Sequence, residues 1–521
     1  MKNYLKYLPF LALGVISCEP ELDNPVDKVG FYSNGEADFS NYVAIGNSIT
    51  SGYADGALYI SGQENSFPNI MAQQFARVQE TNGFTQPLMA DNAGGLLLAG
   101  TQITSNRRVL AFGPDGSPAP KVYTGMQPTT DIINGLSGPF NNMGVPGVKS
   151  FHLLAEGYGD ITGVPAGTAN PYFVRFASSP QTSILADAVA QNPTFFSLLA
   201  GDNDVLSYAT SGGTGVDQVG NLDPRTYGSD DITDPNVFAS VYSTVVDAMV
   251  GTGADGVLMS VPDVTSLPYF TTVPNSALVL DAETAASLTG FFQAVAGIFA
   301  QGAIQQGVDP AVAQGLAAQY AITFNAGPNR FLIDVPVSQT NPLGFRQMTA
   351  EELLVLTIDQ GALAQGYGSV VLTPEVMQVL GILQTGGTPT AEQAQLVLGA
   401  VSGVDDKDVL DTLELQALAT ATNAYNTTIK SVAQANGLAF ADTNLLLKQV
   451  ASGGVAFDGG VMTSAFVTGG AFSLDGVHPT PRGYAAVANL VIDAINQTYG
   501  STAPKVNIGA YGTVTLSNEV Q

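Results

Sequence analysis

Asn41-Tyr42-Val43-Ala44-Ile45-Gly46-Asn47-Ser48-Ile49-Thr50 is the stretch from which the architecture of this chain is read. Tyr42 to Ile45 is a short apolar run with β-branched and aromatic side chains, the pattern of a buried strand. Gly46 permits a sharp turn, and Ser48 falls just past it, on a strand-to-helix corner. In open α/β sheets the carboxyl ends of the strands are where ligands bind. Ser48 therefore reads either as an exposed nucleophile or as the cap of the helix that follows.

Similar runs recur along the chain. Phe195 to Ala200 leads into Gly201-Asp202-Asn203-Asp204, and Gly256 to Val261 ends at Pro262-Asp263. A strand is expected before Asn142, and another at Leu438 to Phe440 that ends near Asp442. Helical stretches such as Val237 to Val250 and Ala424 to Asn436 lie between them. Alternating strands and helices predict an α/β fold: a five-stranded parallel sheet covered by helices on both faces. A last helix is expected after Thr480 as cap and Pro481 at its first position, with Tyr484, Val487, Val491 and Ile495 at helical spacing.

The chain of 521 residues contains two histidines, His152 and His478. A serine that cleaves esters needs a base near neutral pH, and imidazole is the group that titrates there unperturbed. His478 sits in Asp475-Gly476-Val477-His478-Pro479, where one turn can bring the Asp475 carboxylate to the imidazole. The same pentapeptide reads equally as a solvated turn. His152, by contrast, reads as a packed or hydrogen-bonded histidine. An asparagine just past a strand end, Asn203, can aim its amide at a developing oxyanion, and so can a glycine N–H in the tight turn Asn142-Met143-Gly144-Val145-Pro146-Gly147. As neighbours on one loop, Asp202 and Asp204 are poorly spaced for the paired acids of a glycosidase.

In order, these four segments resemble the sequence blocks of the SGNH hydrolases, also called GDSL lipases or esterases. Gly46-Asn47-Ser48-Ile49 stands for Gly-Asp-Ser-Leu, Gly201-Asp202-Asn203-Asp204 for Gly-x-Asn-Asp, and Asp475 to His478 for Asp-x-x-His. The resemblance implies an SGNH-type, flavodoxin-like sheet and a serine esterase or lipase. It implies Ser48 as nucleophile, His478 as base, Asp475 as its orienting carboxylate, and Ser48, Gly147 and Asn203 as oxyanion donors. Asn47 and Ile49 depart from the usual Asp and Leu, and the long gap from Ser48 leaves Gly144 as the alternative to Gly147. No cofactor and no metal are implied, and the partner is an ester substrate with an acyl chain. Thr50 stands where an α/β-hydrolase elbow needs its second glycine. Two readings compete with the esterase: a carbohydrate acetyl esterase of the same fold, and a surface lipoprotein that binds without catalysis.

A balance of 44 acidic against 17 basic residues, net −27, excludes nucleic acid and anionic membrane surfaces as electrostatic partners. Residues 1–17 read as a signal peptide: Lys2 and Lys6 are basic, and Tyr7 to Ile16 is apolar but shorter than the roughly 20 residues that span a bilayer. Val15-Ile16-Ser17-Cys18 looks like a bacterial lipoprotein site, with Cys18, the sole cysteine, lipidated and 18–38 an acidic tether. A lipid-anchored protein of the outer membrane or cell surface is expected. The hydrolase core is expected over 39–269 and 416–500. It carries a decorated crossover at 57–140, in which Arg108 to Phe112 and Lys121 to Tyr123 form a hairpin about Pro114 to Pro118.

Residues 270–415 read as a mainly helical insertion between strands four and five. Its helices are expected at Ala282 to Gln305, at Pro310 to Ala321, and from Thr349 with a capping box to Glu352. Phe291, Phe292, Val295, Ile298 and Phe299 would form an apolar face, either packed within the insertion or exposed at one edge as a lid. The tail 501–521 has a weak alternating pattern at Val506, Ile508 and Ala510 that reads as an edge strand or a loose end. Cys18→Ser is expected to release the protein from the membrane fraction with its activity on soluble esters unchanged; retention in that fraction would point to another anchor.

Overall fold

The computed structural model describes residues 31–114 and 116–520, so the signal peptide and Cys18 lie outside the described residues. Five parallel strands form the central sheet: β1 (Tyr42–Gly46), β2 (Asn142–Gly144), β3 (Phe195–Leu199), β4 (Asp255–Met259) and β5 (Ala439–Ala441), in the spatial order β5-β4-β3-β1-β2. All five residues of β1 and of β3 are buried, as a strand covered on both faces requires.

The alternation of side chains divides them between two cores. Val43, Ile45, Phe196, Leu198 and Leu258 join one apolar cluster, while Tyr42, Ala44, Phe195, Leu199 and Met259 join another. Helices that cover the sheet follow the same division. Nine of the helices matter below, labelled in chain order α1 (Ser48–Ser51), α2 (Phe67–Val78), α3 (Asn203–Thr210), α4 (Pro235–Val250), α5 (Ala282–Gln305), α6 (Pro310–Ala317), α7 (Thr412–Ala435), α8 (Thr443–Ser452) and α9 (Pro481–Tyr499). Phe67 and Phe75 of α2 and Tyr484, Val491 and Ile495 of α9 cover one face; Phe238 and Tyr242 of α4 and Tyr425 and Ile429 of α7 cover the other. Helix α9 begins as its sequence indicates, with the Thr480 hydroxyl accepting from the Gly483 N–H at 3.1 Å and Pro481 in the first turn.

Between β4 and β5 the chain builds a separate cluster. Phe291, Phe292 and Val295 of α5 pack with Tyr320, Phe324, Phe345, Val376 and Val397. Helix α5 has the length and apolar composition of a membrane span, yet six of its residues are buried in this local core. Helix α6 is shorter than its pattern suggests, because Ala318–Tyr320 tightens into a 3-10 turn. The expected helix at Thr349 does not form. Glu352 is fully buried and its carboxylate is held by the Arg346 guanidinium at 2.5 and 2.9 Å, in a segment that pairs as short strands. The same carboxylate still accepts the Thr349 N–H at 2.7 Å, so the capping contact forms without a helix behind it.

The edges of the chain are also tied down. Ser33 and Glu36, read as tether, bond to Thr502 and Tyr499, and Phe39 is buried. The crossover hairpin forms between Arg108–Phe112 and Pro118–Val122. The C-terminal tail joins that hairpin through Thr515, Ser517 and Glu519, whereas Ile508–Ala510 is a 3-10 turn.

Gly46 pairs with Gly144 on one side and Leu199 on the other, so three strands end level. The close fit there is set by glycine. A Cβ on Gly144 would meet the Ser51 nitrogen at 2.4 Å and the Thr50 carbonyl carbon at 2.7 Å. Gly144→Ala is therefore expected to push α1 off the strand end and to cost about 1–3 kcal/mol, measurable by urea unfolding. Unchanged stability would mean that α1 is free to shift.

Candidate active site

Ser48 is placed by both ends of its turn. Asn47 caps α1, its Oδ1 accepting from the Ile49 N–H at 2.9 Å, and Gly52 closes the helix in the left-handed region at φ +84°. The Asn47 amide nitrogen donates in turn to Asp202, at the start of the segment that follows β3. The Ser48 turn and the Gly201–Asp204 turn are thus joined side chain to side chain.

Ser48, His478 and Asp475 are brought together in one hydrogen-bonded chain. Ser48 Oγ lies 2.8 Å from His478 Nε2, and His478 Nδ1 lies 2.8 Å from Asp475 Oδ2. With the imidazole proton on Nδ1, Nε2 is free to accept the serine proton. Asp475 Oδ1 also accepts the backbone N–H groups of Val477 and His478, both at 2.9 Å. Burial alone would raise the Asp475 carboxyl. The adjacent imidazole and these N–H groups reverse that and hold it well below the usual carboxylate range. Asp475 therefore stays ionised wherever His478 works as a base.

The far side of Asp475 is held by one remote residue and one neighbour two positions away. The Gly56 N–H donates to Oδ2 at 2.9 Å and the Ser473 hydroxyl to Oδ1 at 3.1 Å. Asp55, at φ +56°, donates its N–H to Ser473 Oγ, while its carboxylate accepts from the Leu474 N–H and the Tyr59 hydroxyl. The Tyr53 ring lies 4.7 Å from the His478 ring, and its hydroxyl donates to the Gly56 carbonyl. Asp55-Gly56 is a turn dipeptide and so a visible signal in the sequence, but its partner lies more than 400 positions away.

Asn203 opens α3 and is buried, and its amide nitrogen donates to the Val148 carbonyl at 2.9 Å. That bond sets it beside Gly147, which is exposed at φ +78° in the turn after β2. Among the described residues the backbone N–H groups of Ser48 and Gly147 have no protein acceptor. Gly144, the alternative donor, is inside β2, where the Asn142 side chain accepts its N–H.

The two neighbouring acids are occupied in the interior. Asp204 accepts from the Ser150 N–H and hydroxyl at 2.8 and 2.6 Å, which ties the Gly147 turn to α3. His152 accepts the Lys149 N–H on Nδ1 and stacks on Tyr158; burial, with Lys149 nearby, pushes its pKa down to about 4. It is a packed neutral histidine. Among the described residues no group of three or more His, Cys, Asp or Glu is placed to hold a metal ion. No family model, no curated protein and no solved structure matches this chain.

Asp202 is the least settled group in the site. Burial pushes its carboxyl up to about 7 against the pull of the Asn47 amide, and its second oxygen has no partner among the described residues. The folded-state pKa lies above the ordinary carboxyl value of 3.8, so the stability Asp202 contributes in acid is lost as pH rises from 3.8 to about 7. Asp202→Asn keeps an oxygen for Asn47 and removes the charge. Urea unfolding is expected to find it more stable than wild type at pH 8, by up to about 4 kcal/mol, with the gap closing toward pH 5. A pH-independent difference would show that Asp202 does not titrate in this range.

Proposed function

We propose that this protein is a serine esterase of the SGNH hydrolase type that cleaves carboxylic esters through an acyl-enzyme on Ser48. The observation that carries the reading is the unbroken chain Ser48 Oγ–His478 Nε2 and His478 Nδ1–Asp475 Oδ2, each link 2.8 Å. The five-stranded parallel sheet and the order of its motifs support the SGNH assignment, with 270–415 as an insertion in that fold.

In this mechanism His478 takes the Ser48 proton as Oγ bonds to the ester carbonyl carbon. The carbonyl oxygen becomes an oxyanion, which the N–H groups of Ser48 and Gly147 and the free amide hydrogen of Asn203 stabilise. His478 returns the proton to the alkoxide as the C–O bond breaks and the alcohol leaves. Water then repeats the sequence on the acyl-enzyme, with His478 taking its proton and giving it back to Ser48. Asp475 stays charged throughout and stabilises the imidazolium. By the same reading the mature chain is anchored through Cys18 and works outside the cytoplasm.

Purified protein is expected to hydrolyse p-nitrophenyl esters, and Ser48→Ala is expected to lower kcat/KM by about 10⁴-fold or more with the unfolding transition unmoved. Near wild-type turnover in a folded Ser48→Ala protein would refute the reading.

A further inference from the structure

An apolar cleft, open in part to solvent, lies beside the His478 turn. It runs between α8, α9 and the two-stranded hairpin Val455–Phe457 and Gly460–Met462. Three of its lining residues are immediate chain neighbours of Ser48 and His478. Ile49 follows Ser48, and Val477 and Pro479 precede and follow His478. Farther along, it is lined by Leu446, Val450, Met462 and Ala486.

The wall chemistry is one-sided. Of the 16 lining residues only Thr443 has a polar side chain, and its hydroxyl is bonded to the Ser260 carbonyl. A sugar seated there would lose its water hydrogen bonds and find none in return, at a cost for each unpaired hydroxyl. A hydrocarbon chain loses nothing and gains burial. The aromatic face of the insertion packs internally. Phe291 and Phe292 are fully buried in their own cluster, and the Phe299 ring packs at 5.2 Å on Tyr320.

We propose that this cleft is the subsite for a hydrocarbon chain of the ester substrate, which makes long-chain esters, rather than acetylated sugars, the substrate class. The inference rests on the esterase reading above. The chain is the acyl group or the alcohol group of the ester, and both are held by the same contacts.

The test uses two substrate series on the purified full-length protein: p-nitrophenyl esters from acetate to octanoate, and acetate esters of alcohols from ethanol to octanol. Burial of one methylene corresponds to about fourfold in kcat/KM, so wild type is expected to show a graded rise with length in one series. The series that rises identifies the acyl or the alcohol group. Ala486→Phe, and independently Leu446→Trp, fill the cleft. Each is expected to lower the long-to-short kcat/KM ratio at least about tenfold, whereas Phe299→Ala in the insertion leaves it unchanged.

Binding is read separately with cis-parinaric acid, a fluorescent fatty acid, on the Ser48→Ala protein. Saturable binding that Ala486→Phe abolishes supports the subsite even if wild type cleaves no ester, in which case the esterase reading alone fails. Esters cleaved with the same length ratio in both folded plug variants, or parinaric acid binding untouched by them, overturns the subsite. A ratio that falls in Phe299→Ala would move the chain to the insertion and also overturn it.

Discussion

A carboxylate buried in a protein must be given partners or lose its charge. Asp475 keeps its charge because five donors converge on it, two of them from the opposite end of the core sequence or from a neighbouring side chain rather than from its own turn. That requirement organises the surroundings. Gly56 has to reach Asp475, so the loop after α1 folds down on the last loop of the chain. Asp55 is held in the left-handed region to let it do so, and its own carboxylate is then used to fix Leu474 and Tyr59. The imidazole of His478 is oriented as a result of this packing, between Asp475 on one side and the Tyr53 ring on its face.

The sheet supplies the other constraint. Three strands ending level deliver Ser48, the Gly147 turn and the Asn203 helix to one edge, and side-chain bonds then lock the segments to each other. Asn47 reaches Asp202, Asn203 reaches Val148, and Asp204 reaches Ser150. Every one of the four motifs is therefore held by another motif, not by its own helix or strand alone. A neutral Asn at 47 suits this arrangement, since it can donate to Asp202 and accept from the Ile49 N–H at the same time.

The division of apolar surface follows from where each segment finds neighbours. The insertion buries its widest helix face in a cluster of its own, so the length of apolar helix it carries does not translate into surface near Ser48. The apolar cleft near His478 belongs instead to α8, α9 and a short hairpin, and the two helices are less hydrophobic in sequence than α5. Exposure of a cleft depends on what fails to cover it, and this is a property of several segments jointly.

The sequence by itself determined the strand pattern, the sheet class, the capped final helix and the choice of Ser48, Asp475 and His478 as side chains that would meet. These are local facts: an apolar run between turn residues, a Thr-Pro start, and three residue types whose chemistry narrows the choice in a chain with two histidines. Tertiary structure alone decided the partners. Nothing near Tyr53, Asp55 or Gly56 states that they will meet the His478 turn, because a hydrogen bond between positions 419 apart leaves no periodic trace. At Thr349 the reach-back bond of the capping box forms, its N–H donating to Glu352 at 2.7 Å, but Arg346, presented by a short strand, holds the same carboxylate in an ion pair and no helix follows. Local propensities amount to a few tenths of a kcal/mol to about 1 kcal/mol per residue, and satisfying a buried charge is worth more. Where the two conflict, the long-range contact decides the fold.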